Sequence, residues 1–431
     1  MLRRMAKGSS MGSPEKSTKK SIAQQFRSLS APQRNAFLAS FLGWSLDSLD
    51  FFLLILCIPA IAAEFHATVP QVAEAVFLTL VFRPVGALLF GLMADRWGRK
   101  PTLIVNIIAY SAIELACAFA PSLHTLLILR ALFGVAMGGV WGVGAALAFE
   151  SLPTEGRGTF SGLLQEGYAV GYLLAAALFG AVFYWFPWMG WRGLFMIGAA
   201  PALLGLYVDR KVEESPSWRE ARQKRAAGGP KPAVWGSLWA YLPTFLFVIV
   251  LMTAFTSFSH GTQDIYPTFL QKGLGFTAAT AGLIGIVYNV GSLCGGFVFG
   301  SLSERWGRKR AIITAALLAI PAAYPFAYGH SVWGLAAGSF VMQFMVQGAW
   351  GVVPAYLTEL SPAAVRAIFP GLAYQLGNLI TSRNLVIQTG LAERWHSYPP
   401  VLLWTVIVVA VVLAVVTAFG RESRGTELTA A

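Results

Sequence analysis

The stretch GLMADRWGRK at 91–100 returns as GSLSERWGRK at 300–309, 209 positions further along the chain. Each copy starts with a glycine, ends with an acid followed by Arg, Trp, Gly, Arg and Lys, and separates two apolar runs. A second set of an acid, a proline and an arginine recurs at the same offset: Glu150, Pro153 and Arg157 return as Glu359, Pro362 and Arg366. Matched motifs at one fixed offset indicate that the chain contains two copies of one unit.

The composition indicates a chain that lies in a bilayer. Hydrophobic residues make up 56% of it and charged residues 12%, with a mean hydropathy of +0.61, whereas a soluble domain has about 25% charged residues. A spanning helix needs about 20 apolar residues. The apolar runs predict twelve spans, at 35–63, 70–94, 101–121, 124–149, 158–185, 190–208, 238–270, 276–301, 310–328, 332–357, 367–391 and 399–420. The sequence therefore predicts an all-α integral membrane protein with twelve transmembrane helices in two pseudo-symmetric six-helix bundles.

Basic residues concentrate in the loops of one side, which predicts the orientation. The organisation we predict is a disordered basic tail (1–34), an N-terminal bundle (35–208), a linker (209–237), a C-terminal bundle (238–420) and a second tail (421–431). Both tails and the linker are expected in the cytoplasm, and the membrane is expected to be the inner membrane of a bacterium. The net charge of +12 follows from this loop bias, so nucleic-acid binding is a poor explanation for it.

The sequence also argues against several kinds of chemistry. It contains no Gly-Lys dipeptide, which excludes a phosphate-binding P-loop and an ATP-driven pump built on it. The three cysteines, Cys57, Cys117 and Cys294, lie inside apolar runs, and their odd number argues against structural disulfides and metal clusters. We therefore predict a protein that is not an enzyme and has neither a cofactor nor a metal ion.

The paired loops resemble the signature loop of the major facilitator superfamily, and the resemblance covers essentially the whole chain. Arg130 with Gly134 and Gly138, and the sequence ESPSW at 214–218, are similar to further motifs of that superfamily. The resemblance implies two bundles around a central pathway that work by alternating access. It also implies that the loop acid bonds to a neighbouring helix terminus and to basic residues, which locks the cytoplasmic side. The gating residues implied are Gly91, Asp95, Arg96, Gly98 and Arg99, with Gly300, Glu304, Arg305, Gly307 and Arg308. Arg99 and Lys100 could instead serve only the positive-inside rule.

The densest polar segment inside a predicted span is SHGTQDIYPT at 259–268. His260 and Asp264 are four positions apart and share one helix face, and Pro267 can open the helix. Polar residues are costly inside a membrane, and histidine changes charge near neutral pH. The pair therefore indicates proton or substrate handling, with a structural pair that ties helices together as the alternative.

This segment resembles the signature of Jen-type lactate permeases, which belong to the sialate:proton symporter branch. The matching residues are Ser259, His260, Thr262, Gln263, Asp264 and Thr268, whereas Thr256 stands where an asparagine is expected. The resemblance implies a symporter that moves a proton with a small monocarboxylate such as lactate or pyruvate. Thr256, Thr262 and Gln263 are then candidates to bind the substrate. A sialic acid carrier, a porter of sugars or other organic anions, and a membrane sensor that keeps this fold are the alternatives.

The repeat pairs the His260 region with two acids of span one. Subtracting 209 from 256–264 gives 47–55, which begins with Asp47 and contains Asp50. Asp47 lies roughly 18 Å into its span, near the midplane where such carriers bind substrate. We predict that both bundles contribute acids to one central cavity, and that Asp47 and Asp50 join His260 and Asp264 in proton coupling. One of the two aspartates could instead pair structurally with an arginine.

An anionic substrate needs a cation, and the two halves differ in their buried charges. At the 209 offset, Arg83, Arg130 and Glu166 correspond to the neutral Ser292, Ser339 and Gln375, and Arg383 corresponds to Leu174. A guanidinium forms a fork that suits a carboxylate. We predict that Arg83 or Arg383 binds the substrate carboxylate, with Gln375 and Asn378 of span eleven contributing, and that Arg130 is structural. The expected partners are a small organic anion, H+ and the lipid bilayer, with a monomer as the functional unit.

Overall fold

The computed structural model describes residues 22–67, 69–154, 156–227, 236, 239–266, 269–276, 278–366 and 368–428. In chain order its α-helices are α1 (Ile22–Ser28), α2 (Ala31–Glu64), α3 (Val69–Trp97), α4 (Arg99–Ala118), α5 (Leu123–Met137), α6 (Val140–Ser151), α7 (Arg157–Gln165), α8 (Gly167–Trp185), α9 (Gly190–Ile197), α10 (Ala202–Lys211), α11 (Pro216–Ala226), α12 (Leu242–Gln263), α13 (Ala278–Trp306), α14 (Arg308–Tyr328), α15 (Val332–Trp350), α16 (Val353–Leu360), α17 (Phe369–Thr381), α18 (Asn384–Trp395) and α19 (Pro399–Phe419). Short 3-10 helices cover Pro187–Met189 and Ala363–Val365, and a π-helix covers Phe269–Gly273.

The predicted spans are confirmed with one exception. Within the described residues, 11 helical stretches are long and apolar enough to cross a membrane. The predicted span 367–391 is instead divided between α17 and α18, which have 13 and 12 residues and are each too short for a span of about 20. A turn at Ser382 and Arg383 separates them. The protein is a multi-pass membrane protein whose eleventh span is a broken helix.

The start of the chain is more ordered than the sequence predicts. Residues 22–28 form α1, and α2 begins at Ala31, so the expectation of disorder is wrong for residues 22–34. Ser30 explains the start of α2, because its hydroxyl accepts a bond from the Gln33 N–H while the Gln33 side chain accepts one from the Ser30 N–H, a capping box. Residues 1–21 lie outside the described part, so disorder there stays a prediction.

In each half, a glycine allows two spanning helices to pack closely, and the two helix pairs are equivalent. In the first half, a Cβ at Gly86 of α3 would overlap the Val135 carbonyl of α5. In the second half, a Cβ at Gly295 of α13 would overlap the Phe344 carbonyl of α15. Small residues permit such backbone contact between spanning helices, and their recurrence shows that both bundles use the same packing.

The two halves meet at the end that carries the 91–100 and 300–309 loops, which we call the loop end. Helix α7 of the first half lies on α13 of the second, where Gly158 contacts Gly300 and Gly162 contacts Gly296 backbone to backbone. The Ser161 hydroxyl accepts a bond from the Ala355 N–H at 3.0 Å across the same interface. The structure therefore holds the loop end closed.

Candidate transport pathway and its gate

A buried ion pair joins the first two spans of the N-terminal bundle. Arg83 Nη2 donates to Asp47 Oδ2 at 2.6 Å, and both side chains are buried. Within the described residues, Asp47 Oδ1 and Arg83 Nε have no hydrogen-bond partner. The pair is thus joined through a single bond. The guanidinium keeps further donors that can bind a second carboxylate.

Asp50 lies beside a second buried ion pair, which joins Arg130 and Glu114. Arg130 Nη2 donates to Glu114 Oε2, and the Arg130 guanidinium lies 4.2 Å from the centre of the Phe133 ring. The nearby Asp50 carboxyl is fully buried, and neither of its oxygens has a hydrogen-bond partner among the described residues. Arg130 therefore forms a buried ion pair with Glu114, a residue that was not singled out from the sequence. An acid in the middle of an apolar run was the signal that could have found it.

The predicted pair in span seven is formed. His260 Nδ1 and Asp264 Oδ2 lie 3.0 Å apart, and the two side chains keep 33% and 30% of their exposure. Asn378 of α17 lies close to His260, and its amide donates to Gln375 Oε1 at 3.3 Å. The structure thus brings the polar residues of spans seven and eleven together at a place that water can reach.

The remaining residues of the span-seven motif divide into two groups. Gln263 faces the accessible side, where its Oε1 accepts a bond from the Tyr288 hydroxyl at 3.3 Å. Thr256 and Thr262 are 0% and 1% exposed, and their hydroxyls bond to Thr381 at 3.2 Å and Gln343 at 3.1 Å in helix–helix contacts. The structure therefore does not bring these two threonines to the accessible site. Pro267 and Thr268 lie outside the described residues.

Two tyrosines lie near the charged pairs of the two halves. Tyr168 of α8 lies within electrostatic reach of Asp264 in the second half and of Arg83 and Asp47 in the first. Tyr374 of α17 likewise lies near Arg83 and Asp47, although it belongs to the other half. The Asp47–Arg83 and His260–Asp264 pairs therefore flank one central region.

Trp44, Trp141, Trp350 and Tyr374 form a buried aromatic cluster in which both halves take part, and we call it the aromatic floor. The ring centres of the three tryptophans lie 6.5, 5.1 and 5.6 Å from that of Tyr374. Trp141 and Trp350 are 209 positions apart, so the two halves contribute equivalent side chains. Aromatic surface of this kind can stack on a flat substrate.

Two other predicted residues lie in different surroundings. Arg383 is exposed in the turn between α17 and α18, whereas Arg83 is buried. Glu166 is buried at the junction of α7 and α8, and a Cβ on Gly296 would overlap its Oε1. Glu166 thus lies at the interface between the halves.

Two reciprocal ion pairs connect the halves at the loop end. Arg157 of the first half lies 3.5 Å from Glu359 of the second, and Arg366 of the second lies 3.7 Å from Glu150 of the first. These four residues are the second repeated set of the sequence, which the sequence analysis used only as a sign of duplication. The acid and the arginine recur at equivalent positions in both copies, and this recurrence was the signal for the contact. We call these four residues the gate.

Each acid of the gate is also held by an arginine of its own half. Arg99 bonds Glu150 through Nε and Nη2 at 3.1 and 3.0 Å, and Arg308 bonds Glu359 in the same way at 3.1 and 2.9 Å. Such bidentate pairs fix the carboxylate geometry. The arginines of the repeated loops therefore do more than set the orientation, because they position the acids that reach across the interface.

Each loop acid contacts the arginine four positions further along the chain. Glu304 accepts a bond from the Gly158 N–H at the start of α7 and pairs with Arg308 at 3.0 Å, and a helix N-terminus favours an acid. Asp95 pairs with Arg99 at 3.2 Å. Gly98 and Gly307 have φ angles of 116° and 91°, which favour glycine. Of the other predicted gating residues, Gly91 contacts Ile368 across the interface, Gly300 contacts Gly158, and Arg96 and Arg305 are exposed.

A third acid caps the helix after each loop. Glu214 accepts bonds from the Arg99 and Lys100 N–H groups at 3.0 and 3.1 Å, and Glu422 accepts bonds from the equivalent Arg308 and Lys309 N–H groups at 2.9 and 3.2 Å. Burial raises the pKa of the Glu214 carboxyl above its usual value. The second cap was missed because the offset here is 208 instead of 209.

Comparison with known proteins identifies the class. The family profile of the Major Facilitator Superfamily matches residues 40–266 and 265–430, and the solved structure of the proton:xylose symporter XylE bound to 6-bromo-6-deoxy-D-glucose aligns with a TM-score of 0.75 at 21% identity, covering 92% of this chain and 98% of that one. The protein is a membrane transporter by fold and not an enzyme. It belongs to the Major Facilitator Superfamily.

Two curated relatives are similar over most of the chain. A probable 4-methylmuconolactone transporter of Cupriavidus pinatubonensis is 30% identical over 366 residues, which cover 84% of each chain. A carboxylic acid transporter protein homolog of Saccharomyces cerevisiae is 28% identical over 390 residues, which cover 86% of this chain and 63% of the yeast protein. The chain therefore spans less than two thirds of the yeast relative.

Proposed function

We propose that this protein is a symporter that moves a proton together with a small organic carboxylate, with lactate or pyruvate as the first candidates, by alternating access. One observation carries the proposal. An arginine–aspartate pair of the first half and an accessible histidine–aspartate pair of the second flank the same tyrosine, Tyr168. This arrangement offers both a site for an anion and a site for a proton.

The proton enters at His260 and Asp264. Their partial exposure allows water to deliver it, and an imidazole beside a carboxylate can hold a proton near neutral pH. Asn378 orients the histidine from α17. Protonation therefore changes the charge of the second half at the place where it faces the first.

The anion binds at Arg83. Asp47 occupies one donor of this guanidinium, so a proton that moves onto Asp47 releases Arg83 for the substrate carboxylate. Arg383 is a weaker candidate because it lies exposed in a turn, whereas Arg83 is buried and already positioned by an ion pair. The loaded site then carries one more proton and one more anion, and its net charge is unchanged.

This neutrality favours occlusion. Burying an unpaired ion costs several kcal/mol, and pairing reduces that cost. The loaded bundles can then rock and break the ion pairs of the loop end, which opens the site to the other side. The bacterial inner membrane, cytoplasmic termini and a monomeric unit belong to the same proposal.

A second candidate substrate class is the carboxylates that contain a ring. The aromatic floor supports this class, because its rings, which are buried in this structure, can stack on a ring of the substrate once the site opens. The 4-methylmuconolactone transporter among the relatives supports this class. Sialic acid is a bulkier member and stays an alternative on the same grounds.

Uptake by purified protein in vesicles tests the proposal. With labelled lactate, pyruvate and nicotinate as probes, an acid exterior is expected to drive accumulation, by about tenfold for each pH unit if one proton accompanies each anion. The lumen acidifies as the substrate enters. The probe that competes best with the others identifies the preferred class.

The coupling residue can be checked with a matched pair of variants. Asp264→Asn is expected to keep exchange of substrate across the membrane but to lose its stimulation by the pH gradient. Asp209→Asn removes an exposed acid of α10 and is expected to behave like the unmodified protein. If the unmodified protein takes up every probe at a rate that does not depend on the pH gradient, symport is contradicted.

A further inference from the structure

The linker helix α11 forms a pocket with the end of α3. The pocket has a volume of about 430 Å³ and is lined by Arg96, Trp97, Trp218, Arg222 and Ala226. The first two belong to the repeated loop and the other three to α11. None of the five is acidic, so two guanidinium groups face the pocket without a carboxylate in its lining.

Among the described residues, the helix that completes this pocket belongs to the first half. Arg96 and Trp97 recur as Arg305 and Trp306, but the described residues that follow Phe419 contain no helix that corresponds to α11. The gate is otherwise duplicated down to its capping acids.

The tryptophans hold the pocket in place. Trp218 is buried, and its indole N–H donates to the Asp95 carbonyl at 3.3 Å. The Arg222 guanidinium lies 5.4 Å from the centre of the Trp218 ring, within the range of a cation–π contact. Trp97 is 58% exposed at the last residue of the Glu74–Trp97 span. This is where tryptophans meet the membrane–water interface.

We propose that this pocket binds the phosphate group of an anionic phospholipid. Guanidinium groups match the geometry of phosphate oxygens, and basic pockets beside spanning helices bind acidic headgroups. The position at the end of a span places the phosphate of a lipid, with its chains along α3, within reach of both arginines. Helix α11 also carries Arg219, Lys224 and Arg225 against one acid, Glu220, which strengthens its attraction to an anionic surface.

Native mass spectrometry of the full chain tests the site. The protein is released from micelles that contain phosphatidylglycerol or, in a parallel sample, phosphatidylcholine. We expect one retained phosphatidylglycerol that survives activation and no equivalent retention of phosphatidylcholine. Arg222→Gln is expected to reduce the retained phosphatidylglycerol at least about tenfold, as is usual for the loss of one charge-assisted contact to phosphate.

Lys224→Gln is the matched control, because it removes one positive charge from the same exposed helix outside the pocket. It is expected to retain the lipid. Equal retention in Arg222→Gln and in the unmodified protein would overturn the proposal, and so would equal loss in both variants, which would indicate attraction to helix charge alone. Inorganic phosphate is added as a competitor. Its complete displacement of the lipid at millimolar concentration would show a soluble-phosphate site instead.

Discussion

Arg83→Gln is expected to reduce carboxylate binding and uptake by about 30-fold or more, the largest effect of any single substitution in the pathway. Truncating one partner of a buried, hydrogen-bonded charge pair costs about 2–5 kcal/mol, and each 1.4 kcal/mol is a factor of ten. Glutamine keeps much of the side-chain length but removes the charge that the substrate needs. Substrate-induced thermal stabilisation and uptake in vesicles measure the loss.

The same substitution leaves Asp47 buried without its cation, so the loss of binding has to be separated from a loss of folding. The double variant Asp47→Asn/Arg83→Gln removes both charges, which is often close to neutral for stability. It is expected to melt near the unmodified protein and still fail to bind. Asp47→Asn alone keeps Arg83 free, so it is expected to bind substrate with a weaker dependence on pH.

Arg383→Gln is the control, because Arg383 is the other guanidinium that the sequence offers to the substrate. Its exposure in the turn after α17 predicts a change in uptake of less than about threefold, as for other screened surface charges. If Arg383→Gln loses binding and Arg83→Gln keeps it, the anion site lies at the broken span instead.

The fold was predictable because its signals are local or repeated. Hydropathy summed over about 20 residues predicts a span wherever it lies in the chain, and the 209-residue offset predicts two bundles without any knowledge of contacts. The His260–Asp264 pair follows from a spacing of four on one helix. The break in span eleven was not predictable in this way. The residues at 379–384, LITSRN, contain neither proline nor glycine, and the turn depends on packing against other helices.

The ion pairs between the two halves were missed for a different reason. Arg157 and Glu359 are 202 residues apart, and no local pattern joins them. The repeat places Glu150 and Glu359 at equivalent positions, but it does not tell whether each acid pairs within its own copy or with the other. The structure shows both, since Arg99 bonds Glu150 within the half and Arg366 approaches it from the opposite half. A duplicated unit contains the information for a symmetric interface, and only the placement of the halves reveals it.

The two cross-half pairs should set the balance between the closed and open loop end. Their separations of 3.5 and 3.7 Å exceed the roughly 2.7–2.9 Å that is usual for charge-assisted bonds. Each is therefore expected to contribute only about 1–2 kcal/mol, below the value of a tight buried pair. Such a contribution stabilises the closed state and still permits opening in each transport cycle.

Neutralising the gate is expected to open the loop end. In a variant without Cys57, Cys117 and Cys294, Ser161→Cys places one thiol at a fully buried position of the interface. Its labelling by a water-soluble maleimide should be slow in the parent protein. Arg157→Gln or Arg366→Gln is expected to speed it about tenfold, and both together about a hundredfold, since each 1.4 kcal/mol shifts the open fraction tenfold.

Arg192→Gln separates this effect from a general loosening of the bundle. It also breaks an ion pair, at 2.7 Å to Glu64, but both partners belong to the first half, so labelling of the thiol introduced by Ser161→Cys should not change. The twofold relation between the gate pairs makes the test stricter. Because Arg157 and Arg366 are equivalent across the repeat, the two single variants should accelerate labelling to a similar extent. A large effect from one and none from the other would show that a single pair holds the loop end, and that the symmetry of the sequence does not extend to the energetics of the gate.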